Sequence, residues 1–266
     1  MNRISAAFRG KKAFIPFITG GDPDIDTTRE LLLALCDAGA DAIEIGIPFS
    51  DPIAEGPVIE AASARALRAG CTLNKLLALA ESVRADVNPD VPILFMTYYN
   101  PVFHFGAEAF ASRCARAGVD GLIVPDLPFE ERDELLPPCQ THGVELISLI
   151  APTSRERIER IARASGGFLY CVSSLGVTGE RAVLGESARH MTAAVRRVCD
   201  IPCAVGFGIS TPEQAAAICA FADGVIVGSA IVRIIAEHGR GSAEHVARYA
   251  REMKQAVTQS GRDGFA

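Results

Sequence analysis

The sequence predicts an α/β protein, a single (β/α)8 barrel, and three observations lead there. Runs of β-branched and aromatic residues alternate with stretches of helical spacing eight times over. No linker, repeat tract or low-complexity segment interrupts the beat. The length, 266 residues, suits one barrel spanning 1–266, a fold that typically needs ~250. Alternating βα units imply a parallel sheet, and eight strands suffice to close it. A doubly wound open sheet is the alternative.

Residues 2–9 make a short amphipathic helix ahead of the repeat. AFIPFIT (13–19) is the first strand and ends in the turn signal GGDP (20–23). Asp26 and Thr27 cap a helix whose apolar positions Leu31, Leu32, Leu35 and Ala38 run to Gly39. In the second strand Ile43, Ile45 and Ile47 fall on one face and Ala42, Glu44 and Gly46 on the other. A loop with Pro48, Pro52 and Pro57 follows, then two helices, Pro57–Ala69 and Leu73–Ala85, one more than the repeat requires. VPILFMTYY (91–99) reads as a strand and Ala107–Ala117 as its helix. Then come 119–128, a strand then a loop, a mostly helical 129–142, strand 143–152 and helix 155–164. Strand 166–174 leads to a long glycine-bearing loop, 174–186, and a helix over about 187–199. Strand 201–208, a helix begun by Thr211-Pro212-Glu213, a strand running into a helix over 222–232 and a final helix 242–258 complete the chain.

Composition narrows the function. Hydrophobic residues are 49% and charged residues 22%, so a large core is available and disorder is not the default. A net charge of −6 argues against sequence-independent binding of nucleic acid. MNRISAAFRGKK has no apolar core of a signal peptide, and no apolar run approaches the ~20 residues that cross a bilayer, so a cytoplasmic protein is expected. The eight cysteines are scattered without a C-x-x-C pair, as expected of small buried residues in a reducing compartment.

In a barrel, chemistry sits at the carboxyl ends of the strands. Glu44, opposite three isoleucines that face the helices, points inward near that mouth, where partial desolvation raises its pKa and makes it an acid near neutrality. Glu55, in the loop above, is the second carboxylate, and two carboxyls in unlike surroundings separate acid from base. Glycines at the ends of strands six to eight (Gly179, Gly206, Gly208 and Gly228, followed by Ser229) form a second group. They admit backbone N–H groups close to an anion, with a helix amino terminus behind, and so point to phosphate. Phe17, Phe95, Ile123, Ile150, Tyr170 and Phe207, all near strand exits, suit a flat apolar group. No lysine lies at a strand end, which disfavours a Schiff-base aldolase. The five histidines form no ligand set, which disfavours a metal, and no G-x-G-x-x-G follows the first strand. The residues describe a cofactor-free acid/base enzyme acting on an organic phosphate.

Six motifs resemble the tryptophan synthase α-subunit family end to end: PFITGGDP (16–23), EIGIPFSDPIAEGP (44–57), VPDLPFEE (124–131), YCVSSLGVTG (170–179), VGFGIS (205–210) and VGSAIV (227–232). The resemblance implies a TIM barrel and a lyase, of the carbon-oxygen class, that splits indole-3-glycerol phosphate into indole and D-glyceraldehyde 3-phosphate by a retro-aldol-type cleavage. Indole would pass to a β subunit carrying pyridoxal phosphate, within an α2β2 assembly, with no cofactor on this chain. It implies Glu44 as the acid at C3 of the indole ring. Glu55 would accept the indole N–H where the family usually has aspartate. Tyr170, Phe17, Phe95, Ile150, Phe207 and Thr178 would line the substrate, and Gly179, Gly208, Gly228 and Ser229 the phosphate. Ser174 stands where some members have arginine. Loops 48–57 and 174–186 correspond to the segments that close over substrate, and Asp51, Pro52 and Pro128 would border the β subunit. A phosphosugar isomerase or an indole-glycerol-phosphate synthase would share the glycines but needs another catalytic set. A non-catalytic phosphate-binding regulatory subunit of the same complex is the other alternative.

Overall fold

A computed structural model of the chain describes residues 2–86, 90–172, 181–206 and 208–263. Eight parallel strands close into a barrel in sequence order: β1 (Ala13–Thr19), β2 (Ile43–Gly46), β3 (Ile93–Met96), β4 (Gly121–Ile123), β5 (Glu145–Ile150), β6 (Leu169–Val172), β7 (Cys203–Gly206) and β8 (Gly224–Val227). β8 returns to β1 with Ile15 opposite Ile226. The helices are α1 (Arg3–Ala7), α2 (Ile25–Asp37), α3 (Pro57–Arg68), α4 (Leu73–Asp86), α5 (Tyr99–Phe105), α6 (Ala107–Arg116), α7 (Leu136–His142), α8 (Arg155–Arg163), α9 (Arg181–Arg196), α10 (Pro212–Cys219), α11 (Ser229–His238) and α12 (Ser242–Asp263).

Side-chain alternation divides the apolar residues into two cores. Outward-facing Phe14, Ile43, Ile45, Phe95, Leu122 and Cys171 meet the helices. Inward-facing Ala13, Ile15, Ala42, Leu94, Ile123, Ile147, Phe168, Ala204 and Ile226 fill the barrel. The extra helix α1 closes the barrel's floor, its Ile4, Ala7 and Phe8 joining that inner set. The Phe8 ring lies 5.3 Å from that of Phe168. With the floor plugged, the open end is the carboxyl end of the strands.

Four stretches differ from the sequence expectation. The run 91–99 is a strand only to Met96, and α5 begins at Tyr99. The N–H of Tyr99 donates to the Asp126 carboxylate at 2.8 Å, so the group that receives this helix end comes from the loop after β4. Residues 129–142 split into a 3-10 turn (Phe129–Glu134) and α7, because Pro137 and Pro138 lack N–H groups and fit only a first helical turn. α9 starts at Arg181, so the second half of the expected 174–186 loop is helix. α12 continues past 258 to Asp263.

Candidate active site

The mouth of the barrel holds a cavity of about 470 Å³. Its floor is made by inward-facing residues one step above the inner core, Phe17 of β1, Glu44 of β2, Met96 of β3 and Tyr170 of β6. At the top of the same inward rows the chain has Gly46, Gly206 and Gly228. A Cβ on Gly46 would lie 2.6 Å from the Phe17 ring, one on Gly206 would lie 2.6 Å from Tyr170, and one on Gly228 would lie 3.2 Å from Phe17. The glycines thus make room for the two aromatic walls as well as for a ligand.

Glu44 is 0% exposed, flanked in register by Phe17 and Leu94, and among the described residues neither carboxyl oxygen has a hydrogen-bond partner. Burial, and then the nearby Glu55 carboxyl, push its pKa up to about 8. Glu55 is half-buried, and burial followed by Glu60 raises it to about 7. The loop bearing Glu55 is pinned from β3's side. The Ala54 N–H donates to the Tyr98 hydroxyl at 3.0 Å, and the Tyr98 ring sits 5.2 Å from Phe49. Glu55 then leads directly into α3, which has Gly56 as its N-cap and Pro57 in its first turn. Tyr170 is half-buried on the cavity wall, and desolvation followed by the nearby Glu44 carboxyl raises its phenol well above the usual range. The result is a carboxyl that keeps its proton near neutrality beside one that releases it more readily, an acid and a base on one wall.

The opposite wall is suited to an anion. Gly228 caps α11 without a side-chain cap, and Gly208 takes a φ of +75°, a conformation that favours glycine. Both line the cavity with Ser229, at a helix amino terminus whose N–H groups have no intrahelical partners. The loop after β7 is fixed by a capping box between Thr211 and Gln214 and by the Tyr249 hydroxyl of α12, which donates to the Ser210 carbonyl at 3.0 Å.

Of the residues singled out from sequence, Glu44, Glu55, Phe17, Tyr170, Gly208, Gly228 and Ser229 meet in this cavity. Phe95 and Ile150 do not. Both are buried in the outer core, because their strand positions face the helices. Met96, one residue on from Phe95, takes the inward place. Thr178, Gly179, Phe207 and Ser174 lie outside the described residues. Asp51 and Pro128 are exposed and Pro52 is half-buried. Near them the structure adds two exposed apolar side chains, Ile53 at 80% and Phe103 at 70%. Sequence reasoning also passed over Tyr98, Ile209 and Arg233, because each sits in an apolar or helical pattern that by itself indicates only packing or a solvated face. Among the described residues no cluster of His, Cys, Asp or Glu could hold a metal, and no helix is long and apolar enough to cross a membrane.

Comparison with known proteins converges on one family. The model of the tryptophan synthase alpha chain family matches residues 5–260. The tryptophan synthase alpha chain of Lacticaseibacillus casei is 44% identical over 257 residues, 97% of this chain and 96% of that one. The tryptophan synthase subunit alpha of Legionella pneumophila superposes with a TM-score of 0.88 at 37% identity, over 97% and 99% of the two chains. A chain of the tryptophan synthase α2β2 complex of Pyrococcus furiosus gives 0.83 at 38% identity, over 92% and 99%.

Proposed function

This chain belongs to the tryptophan synthase alpha chain family, and on that premise we propose that it cleaves indole-3-glycerol phosphate to indole and D-glyceraldehyde 3-phosphate, as a lyase of the carbon-oxygen class. The observation that carries the reading is Glu44, a fully buried carboxyl whose two oxygens have no partner among the described residues, facing the same cavity as Glu55.

Protonated Glu44 gives its proton to C3 of the indole ring, leaving the ring cationic. The ring N–H donates to the Glu55 carboxylate, which offsets that charge. The hydroxyl on the glycerol carbon bonded to C3 then returns a proton to Glu44, and the C–C bond breaks. The electron pair of that bond restores the aromatic ring, so indole leaves neutral and the glycerol carbon becomes an aldehyde. Phe17, Met96 and Tyr170 hold the flat ring, while Gly208, Gly228 and Ser229 receive the phosphate, joined on the family resemblance by Gly179, with Thr178 lining the substrate. Anchoring by a remote anion offsets the cost of orienting the reacting carbon. The whole chain, 1–266, works as one cytoplasmic barrel domain without a cofactor of its own. Pyridoxal phosphate belongs to the β subunit, which docks at the carboxyl-end loops around Asp51, Pro52 and Pro128 in an α2β2 assembly.

The test is indole release from indole-3-glycerol phosphate by the purified chain, with and without a tryptophan synthase β subunit. Slow release alone, strongly raised by the partner, is expected. No release from folded protein in either condition would overturn the reading in favour of a non-catalytic regulatory subunit.

A further inference from the structure

We infer that Arg233 is the cation that recognises the substrate's phosphate as a dianion and sets the preference of this cavity for phosphorylated ligands. Three charged side chains line the cavity among the described residues, Glu44, Glu55 and Arg233, so Arg233 is its one described cation. It lies on α11 four residues after Ser229, on the same face and one turn further in. Side chains on a helix lean toward its amino terminus. A long side chain at 233 therefore comes back over the first turn, where Gly228 and Ser229 present their N–H groups.

Two further observations fit a cation held for a ligand. Several arginines elsewhere on the surface are engaged, Arg113 with Glu81, Arg155 with Glu159, Arg196 with Asp223 and Arg240 with Asp24, whereas Arg233 is the one that lines the cavity among the described residues. Arg233 is exposed and makes no ion pair or hydrogen bond with a described residue. Its charge is nevertheless felt by Tyr249, whose phenol burial pushes up to about 12 and Arg233 pulls back. Tyr249 is the side chain that holds the loop after β7, which places Arg233 beside both anion-binding loops. The cavity is also built for an occupant, since it contains a wholly buried carboxyl with no partner among the described residues.

The division of labour follows from charge. Backbone N–H groups and a helix terminus carry about half a charge and accept mono- and dianions alike. A guanidinium supplies a full charge and two parallel donors, matched to a phosphate with two ionised oxygens. In a chain of net charge −6 whose cavity also holds two carboxyls, that cation offsets the repulsion a dianion would meet.

The inference rests on the phosphate reading above, and the experiment separates the two. Glycerol 3-phosphate is titrated calorimetrically into the wild-type chain and into Arg233→Gln and Arg233→Lys between pH 5.5 and 8, with indole as the phosphate-free ligand. Arg233→Gln is expected to weaken glycerol 3-phosphate roughly 10- to 100-fold, raise KM for indole-3-glycerol phosphate by a similar factor and change kcat less than about threefold. Arg233→Lys should recover part of the loss. The ratio of wild-type to Arg233→Gln affinity, in which the titration of Glu44 and Glu55 in the same cavity cancels, should shrink as the pH drops through the second phosphate pKa of about 6. Unchanged indole binding shows that the variant's cavity is intact. Equal affinity of wild type and Arg233→Gln, or a fall in kcat at constant KM, would overturn the inference. Should the Gln variant fail to fold, the pH dependence of the Lys variant decides: a retained dianion preference supports the inference, and none in wild type refutes it. If wild type binds glycerol 3-phosphate but releases no indole, the cleavage reading fails and the role of Arg233 stands.

Discussion

Moving a carboxyl from water into a site where neither oxygen finds a donor penalises its charged form, and Glu44 carries that penalty because its strand parity leaves it no other direction to face. Its folded pKa of about 8 lies above the ordinary 4.5, so the stability it contributes is fully present below 4.5 and is lost as the pH rises toward 8. Glu44→Gln removes that loss. Urea unfolding should show the variant's advantage over wild type growing by on the order of 2 kcal/mol between pH 6 and pH 9, and a constant difference would contradict the assignment. The same variant should cut indole release by about 10²- to 10⁴-fold while glycerol 3-phosphate binds almost as before. Loss of both together would mean a structural glutamate. The proposed cleavage needs Glu55 ionised and Glu44 protonated. The rate should therefore rise as Glu55 titrates near 7 and fall as Glu44 titrates near 8, a narrow bell whose two limbs belong to the interacting pair. A plateau extending to pH 10 would be incompatible with Glu44 as the acid.

At the level of elements, the site depends on how α3 is held, because Glu55 sits immediately before its first turn. Arg65 of α3 reaches the loop after β1 and clasps the buried Asp22 with two bonds, Nε to Oδ1 at 2.8 Å and a terminal nitrogen to Oδ2 at 2.7 Å. Phe17 of β1, Ala62 of α3 and Val232 of α11 pack together, so the helix that follows Glu55 and the helix that begins at Ser229 share one small core. Arg65→Ala leaves the Asp22 carboxylate buried and unpaired. It should cost about 2–3 kcal/mol, below the usual range for a broken buried pair because Arg65 is itself partly exposed. Chemical denaturation checks the figure, and a cost under about 0.5 kcal/mol would reduce the clasp to a surface pair. On the far side of the barrel, Asp41 receives Lys11 at 2.6 Å, Lys254 at 2.5 Å and the Phe14 N–H at 2.8 Å, which ties α12 to the start of β2. Two of the chain's four lysines are spent there.

Across the whole molecule the two ends of the barrel differ. α1 seals one end with apolar side chains, and the other end carries the cavity together with Ile53 and Phe103 in water. Large apolar groups left exposed beside a functional mouth mark a contact surface. Phe103→Ser should therefore weaken association with the β subunit by roughly tenfold or more without lowering the slow indole release of the isolated chain. Titration of the β subunit by its activation of indole release reads the effect. An unchanged midpoint would place the contact elsewhere on this face.

Much of this was legible in the residues, and the boundary has a physical origin. Period-two and helical spacing are local, so the sequence alone determined the eight βα units, the inward face of Glu44 and the glycines at the ends of β7 and β8. Parity also carried a warning that the aromatic reading overrode: Phe95 is two residues from Ile93, shares its outward face, and lies in the outer core while Met96 lines the cavity. What only the tertiary structure decided are the contacts made across long sequence separations. Asp126 receives the start of α5 from 27 residues away, Arg65 reaches 43 residues back to Asp22, and Tyr98 holds the loop of Glu55 across 44. The same holds for Arg233. On its own helix it is one more solvated arginine, and it becomes a cavity-lining cation only because closing the barrel brings α11 to the same mouth as Glu44. Spacing along a chain fixes which way a side chain faces, whereas its neighbours and their electrostatic effect exist only once distant segments are brought together.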